Sequence, residues 1–228
     1  MCSSDLEGYA TLQIDLAGCG DSGGEFGDAN WSQWLDDVVA GARWIRQRHD
    51  APLWLWGLRS GCLLACQAAA RLTDVEPAPG FLFWQPVAQG KVLLQQFLRL
   101  VLAGSLTDGS SRSTLASLRE RLLAGQSIRV AGYELNASLS AGLEAATMAP
   151  SLAPPAATST ALFFEVSSSP DEQVSPTMAD LVESWRAAGH RASAVRVRGP
   201  AFWQTTEIEH VPALLESTLD SLRMTSGA

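Results

Sequence analysis

Positive charge is in short supply in this chain. Sixteen Lys and Arg stand against 24 Asp and Glu, a formal net charge of −8, which argues against a general binder of nucleic acid or anionic membranes, since both need a basic face. Charged residues make up only 18% of the 228, and hydrophobic ones 46%. That balance excludes a disordered chain and supplies enough apolar surface for one domain with a sizeable core. Cysteine is sparse and unclustered. Cys2, Cys19, Cys62 and Cys66 contain no C-x-x-C pair, and Cys62 and Cys66 sit a helical turn apart in an apolar stretch, where they read as buried thiols rather than redox or metal groups. Neither a metal nor a cofactor is expected. No signal peptide, no membrane-length apolar run and no internal repeat is present, so the expected compartment is the cytoplasm.

What is there alternates between strand and helix. Tyr9 to Asp15 reads as a strand running into a glycine-rich turn with Gly18, Gly20, Gly23, Gly24 and Gly27. Asn30 or Ser32 is placed to cap a helix carrying Trp34, Leu35, Val38, Val39, Ala42, Trp44 and Ile45 at helical spacing. Leu53-Trp54-Leu55-Trp56 is apolar on both alternating faces, as a central parallel strand covered by helices would be. A helix rich in small residues follows from Ser60 to Leu72, then a strand at Gly80 to Trp84 closed by Pro86. Helical stretches at Val92 to Ala103 and Thr114 to Ala124, a short strand at Ile128 to Val130 and a helix at Ala137 to Ala146 come next. Ala149 to Thr160 is a Pro-, Ala- and Ser-rich loop. Strands at Ala161 to Val166 and Ala192 to Val197 and helices at Thr177 to Ala188 and Val211 to Leu222 complete the chain. The alternation implies a mostly parallel sheet with helices on both faces, and the helical block between Pro86 and Pro150 reads as an inserted lid.

The sharpest local signal is Trp56-Gly57-Leu58-Arg59-Ser60-Gly61-Cys62, a strand, tight turn and helix laid out like the G-x-S-x-G nucleophile elbow of α/β-hydrolases. Gly57 and Gly61 match its two glycines, but Arg59 stands where the nucleophile belongs. Ser60 is one residue late and would need a shifted turn to act. Ser22, in the glycine turn, is a more distant nucleophile candidate whose ordinary reading is turn formation. A plain strand-to-helix connection and a vestigial elbow are both open readings. In either, a guanidinium at Arg59, beside the amides of Ser60 and Gly61 at a helix start, suits a phosphate or carboxylate.

In this fold the acid and the histidine follow the nucleophile in chain order. Asp171, on the loop after the penultimate strand, is the candidate acid, and a turn-forming Asp after Pro170 reads equally well. The loop after the last strand, Gly199-Pro200-Ala201-Phe202-Trp203-Gln204, holds no histidine. His210, near the start of the last helix, is the candidate base and reads more readily as a surface residue; His49 and His190 are not placed for the role. The loop that would give a second oxyanion-hole amide is absent from the chain. Most of the eight tryptophans are expected in the core and lid, with Phe83, Trp84 and Trp203 lining or closing a pocket.

These stretches resemble one family. Gly8-Tyr9, Gln13-Ile14-Asp15-Leu16, Gly18-Cys19-Gly20-Asp21-Ser22, Asp50 to Arg59, Phe83-Trp84-Gln85-Pro86-Val87, Val130-Ala131-Gly132-Tyr133 and Gly199 to Thr205 with Glu207-Ile208 resemble the exosortase A system-associated hydrolases of the second type. The resemblance covers Gly8 to about Thr218. It implies an α/β-hydrolase fold, an Arg at the elbow as the family's own pattern, a gene neighbourhood that makes exopolysaccharide and sorts PEP-CTERM proteins, and partner proteins in that machinery. It supplies no substrate. Against that family the chain lacks its first strands, so the sheet is expected to expose an edge. Met1 to Leu6 resembles an adapter-derived scar, and residues 1–7 are set aside as a tail. The expected organisation is one domain over 8–222, with a lid insertion at about 87–150 and a tail at 223–228. The functional expectation is an esterase-like hydrolase with a degenerate triad. The alternatives are a pseudoenzyme that binds an anionic or acylated small molecule in a lidded pocket, or a structural partner of the exosortase and polysaccharide proteins. Fold does not decide among them.

Overall fold

The computed structural model describes residues 2–6, 8–75, 77–107, 113–150, 158–205, 207 and 209–226. In chain order its elements are β1 (Cys2–Leu6), β2 (Tyr9–Leu12), α1 (Trp31–Arg46), β3 (Trp54–Leu58), α2 (Ser60–Ala69), β4 (Gly80–Trp84), α3 (Gly90–Thr107), α4 (Leu115–Leu123), β5 (Ile128–Val130), β6 (Tyr133–Leu135), α5 (Ala137–Ala145), β7 (Thr160–Ser167), α6 (Pro176–Ala187), β8 (Arg191–Arg198) and α7 (Pro212–Ser226). The fold is α/β, and the chain divides into two compact units, Met1–Ala51 with Gln89–Thr147, and Pro52–Ala88 with Met148–Ala228.

The second unit is built on a four-stranded sheet of order β3-β4-β7-β8, parallel throughout. Leu58 is level with Trp84, Trp84 with Phe164, and Phe164 with Val195. Phe81, Leu82 and Phe83 of β4 and Ala161 to Val166 of β7 are all buried, as inner strands covered on both faces must be. On one face Trp185 of α6 is the centre of the core. Its ring lies 5.2, 5.4 and 5.8 Å from those of Phe81, Phe83 and Phe163, and its indole N–H donates to the Met148 carbonyl at 3.0 Å. A buried indole with its polar handle satisfied contributes area and direction together.

Two expectations for this unit are corrected. The apolar run at Leu53 to Trp56 predicts a central strand, but among the described residues β3 is an edge strand of the sheet, with β4 as its neighbour. Leu55 turns into the core, while Trp56 stays 40% exposed and sits edge-on to Trp84 at 4.6 Å. That aromatic pair gives an edge strand a second apolar face. Residues 223–228 are not simply a tail, because α7 runs to Ser226, with an Arg223–Asp220 ion pair at 2.8 Å along it.

The other unit holds two antiparallel hairpins, β1–β2 and β5–β6, with α1, α3, α4 and α5. Residues 1–7, expected as a tail, include β1, which sets Cys2 opposite Leu12 and Leu6 opposite Tyr9. Gly8 supplies the positive φ of the turn, 92°, that a hairpin needs. The strand expected at Tyr9 to Asp15 therefore ends at Leu12, and its partner is β1 rather than the parallel sheet. Gln89–Thr147, within the stretch expected as an insertion at about 87–150, has ends that bridge each other and falls in one compact unit with Met1–Ala51. Trp31 of α1 packs on Gly142 of α5, where a side chain would overlap the Trp31 Cβ. Asn136, capping α5 through Leu139 N–H, donates to the Gly27 and Ala29 carbonyls at 2.8 and 2.6 Å. Asn30 caps α1, accepting from Gln33 N–H. Among the described residues no helix is long and apolar enough to cross a membrane.

Candidate functional site

Arg59 and Ser60 follow the carboxyl end of β3, and Asp171 that of β7, all in the second unit. Ligands of open parallel sheets bind at that end. The turn from β3 to α2 is a single residue, Arg59, with φ 54° and ψ −113°. Few side chains tolerate that conformation, and where one does the surroundings enforce it. Here Arg59 N–H donates to the Trp84 carbonyl at 3.1 Å, and Cys62 N–H to the Arg59 carbonyl at 3.1 Å. Gly57 makes the turn possible, because a Cβ on it would overlap the Gly61 carbonyl group. Gly61 has nothing within 4 Å of its own Cβ position, so of the two elbow glycines only Gly57 is sterically required.

The Arg59 guanidinium lies 5.7 Å from the centre of the Trp203 indole ring. Burial holds its pKa below the ordinary arginine value, opposed by the neighbouring Cys62. It remains a cation at any physiological pH. Cys62 itself is fully buried, its thiol donating to the Gly57 carbonyl at 3.1 Å, and burial pushes its pKa far up. Cys66 is displaced the same way for the same reason. Both are core thiols, unreactive as nucleophiles.

The triad candidates occupy separate roles. Ser60 is the half-buried first residue of α2. Asp171 is exposed, its carboxylate accepting from Gln173 N–H at 3.1 Å and its own N–H donating to Ser169 Oγ at 3.3 Å, a turn brace. His210 is exposed ahead of α7. Among the described residues no hydrogen bond or ion pair joins Ser60, Asp171 and His210. Ser22 lies in the other unit, within a turn where its N–H donates to the Cys19 carbonyl. His49 is exposed. His190 is half-buried, its Nδ1 accepting from Ser159 N–H at 3.3 Å, and burial lowers its pKa.

The aromatic expectation divides. Phe83 is wholly buried against Phe81, Phe163 and Trp185, so it lines no pocket; strand alternation sends it into the core and its neighbour Trp84 to the other face. Trp84 is half-buried, donates to Thr218 Oγ1 at 3.0 Å, and meets Phe202 edge-on at 6.4 Å. Trp203 stands beside Phe202 at 5.2 Å, and its indole N–H is buried with no acceptor among the described residues.

Sequence reasoning missed two features. Gln85, after β4, takes a positive φ of 44°, and the following Pro86 gives no hint of it, since a residue before proline favours extended backbone. Glu165 and Arg196, level on β7 and β8, form a buried pair at 3.7 Å with side chains 11% and 12% exposed. Glu165 also accepts from Ser175 N–H, while Arg196 donates to Ser167 Oγ and the Gln173 carbonyl. Together they pin both ends of the loop that carries Asp171. Their signal was a lone Glu in the apolar run of β7. Among the described residues no cluster of three or more His, Cys, Asp or Glu could hold a metal.

No protein-family model matches this chain. No curated protein matches it either. Among solved structures it is similar to a Vlm2 thioesterase domain with genetically encoded 2,3-diaminopropionic acid bound with a dodecadepsipeptide. The identity is 13% and the TM-score 0.41, over 85% of this chain and 74% of that chain.

Proposed function

We propose that this chain is an α/β-hydrolase-fold protein that binds an anionic or acylated ligand at Arg59 without cleaving it. The observation that carries the reading is the Arg59 backbone. A strained residue between a parallel strand and a helix is the conformation that lifts a nucleophile above the sheet; here it lifts a guanidinium. That group brings charge and fork-shaped donors beside the helix start at Ser60 and Gly61. Ser60, Asp171 and His210 make no bond to one another, which weighs against the esterase-like alternative. In the setting implied by the sequence resemblance, exosortase and exopolysaccharide gene clusters, the ligand would be an anionic or acyl-bearing intermediate of polysaccharide export, or a partner protein presenting one.

The test has two arms on the intact chain. A fluorophosphonate probe followed by intact mass is expected to leave the folded protein unlabelled. Titration with dodecanoate and dodecyl phosphate is expected to show binding of at least one, weakened about tenfold or more by Arg59→Ala, the worth of one charge-assisted contact. Labelling at Ser60 would make the protein a serine hydrolase with a shifted elbow. Unchanged binding in Arg59→Ala would remove Arg59 from the site.

A further inference from the structure

A second donor stands at the strand end next to that of Arg59. Gln85 follows β4 as Arg59 follows β3, and the two residues have φ of 44° and 54°. Backbone bonds place them on neighbouring strand ends: Arg59 N–H donates to the Trp84 carbonyl, and Gln85 N–H to the Phe164 carbonyl at 2.7 Å. As the chain leaves the sheet at Gln85, the side chain takes over the next ladder position. Val166 N–H of β7 donates to Gln85 Oε1 at 2.7 Å. A backbone N–H must face the amide oxygen, so the side chain's orientation is fixed by its partner. The nitrogen, Nε2, then carries two donors that meet no protein acceptor among the described residues. A half-buried amide pinned by its oxygen, in a conformation glutamine seldom adopts, is a preorganised donor.

We propose that Gln85 Nε2 and the Arg59 guanidinium together hold the carboxylate of an acid with an apolar chain. The inference rests on the anion-binding reading of Arg59 and names its ligand class. A guanidinium and a neutral amide together present the N–H donors that the two oxygens of one carboxylate take. The apolar part follows from the neighbours. The Trp203 ring sits at the guanidinium, Phe202 packs on Trp203, and Trp84 packs on Phe202, a wall suited to hydrocarbon.

The deciding variant is Gln85→Glu. It keeps an oxygen for Val166 N–H and replaces the donor with a negative charge. Binding of sub-micellar dodecanoate by the intact chain is measured for the parent, Gln85→Glu and Arg59→Ala. Expected are a loss of about tenfold or more in both variants and, in the parent, a shift of the Gln85 side-chain amide resonances as dodecanoate saturates. Loss in Arg59→Ala with Gln85→Glu within about twofold of the parent overturns this inference and leaves the Arg59 reading standing. Binding of dodecyl phosphate but not dodecanoate does the same. Unchanged binding in both variants overturns both. If Gln85→Glu does not fold, the parent's side-chain resonances decide: a Gln85 amide that does not move on saturation refutes the contact.

Discussion

Arg59 is held in its elbow conformation at a cost in stability, and that cost can be measured apart from everything else the side chain does. Replacing Arg59 with Ala removes the guanidinium and its contact with Trp203 but keeps a Cβ at φ 54°, ψ −113°. Replacing it with Gly removes the same contacts and the Cβ as well. The difference between the two variants therefore cancels the lost contact, worth about 0.5–1 kcal/mol for a partly exposed cation over an aromatic ring. It isolates the backbone strain, about 1–3 kcal/mol for a residue in a sparsely populated region. Against that stands the greater freedom of Gly in the unfolded chain, about 0.5–1 kcal/mol. Taking the middle of each range, Arg59→Gly should be more stable than Arg59→Ala by about 1 kcal/mol. Urea denaturation followed by tryptophan fluorescence reads this as a higher midpoint with an unchanged slope. Anion binding should be lost in both. If Arg59→Gly proves no more stable than Arg59→Ala, the elbow carries no more strain than the roughly 0.5–1 kcal/mol of glycine's greater freedom, and its backbone is not a strained device for projecting a functional group.

Three further outcomes follow from the same unit. Gly57→Ala should cost about 2–3 kcal/mol or prevent folding, because its Cβ overlaps the Gly61 carbonyl. Gly61→Ala, with open space at its Cβ position, should be neutral or gain up to about 1 kcal/mol from helix propensity, so paired thermal melts of the two variants check which glycine the turn needs. His190 has its pKa lowered by burial, and its Nδ1 accepts from Ser159 N–H, so the folded state resists protonation there. The stability it contributes is present above the ordinary histidine pKa of about 6.5 and is lost as pH falls below it, and the fall in urea midpoint on acidification should shrink in His190→Asn. Glu165→Gln should keep the bond from Ser175 N–H but leave Arg196 buried without its counter-charge. Since Arg196 still donates to Ser167 and Gln173, the expected cost is about 2–3 kcal/mol, toward the low end for breaking a buried pair, with faster hydrogen exchange in the loop from Ser167 to Ser175.

Much of this unit is legible in sequence because its signals are local. The two-sided apolar runs of β4 and β7 announce inner parallel strands, and Gly57 before Arg59 announces a turn that brings a helix against its own strand. What could not be read depends on partners distant in the chain. Glu165 is a lone charge in an apolar run until β8 sets Arg196 level with it. Gln85 looks like the extended residue before a proline until Val166 and Phe164 bind its side chain and backbone. The strand at Cys2–Leu6 was set aside with a segment that resembles an adapter-derived scar; pairing with Tyr9–Leu12 through the turn at Gly8 decides it. Phe83 and Trp84 were grouped as pocket aromatics because they are adjacent, and adjacency in a strand is what separates them.

The two strained residues at the strand ends bear on how a ligand would be held. Each costs about 1–3 kcal/mol and persists only where the surrounding structure over-determines it. Here each is fixed by a hydrogen bond from its own N–H to the neighbouring strand, Arg59 to Trp84 and Gln85 to Phe164. Those strands are locked by the cluster of Phe81, Phe83, Phe163 and Trp185, where truncating one ring to Ala costs about 3–5 kcal/mol. The core is therefore large enough to enforce both conformations. Donors held this way need little ordering when a ligand arrives, so less of the contact energy goes to immobilising side chains. Two adjacent strand ends, each presenting a polar side chain from a backbone that side chains avoid, would give the ligand binding proposed above a rigid pair of donors.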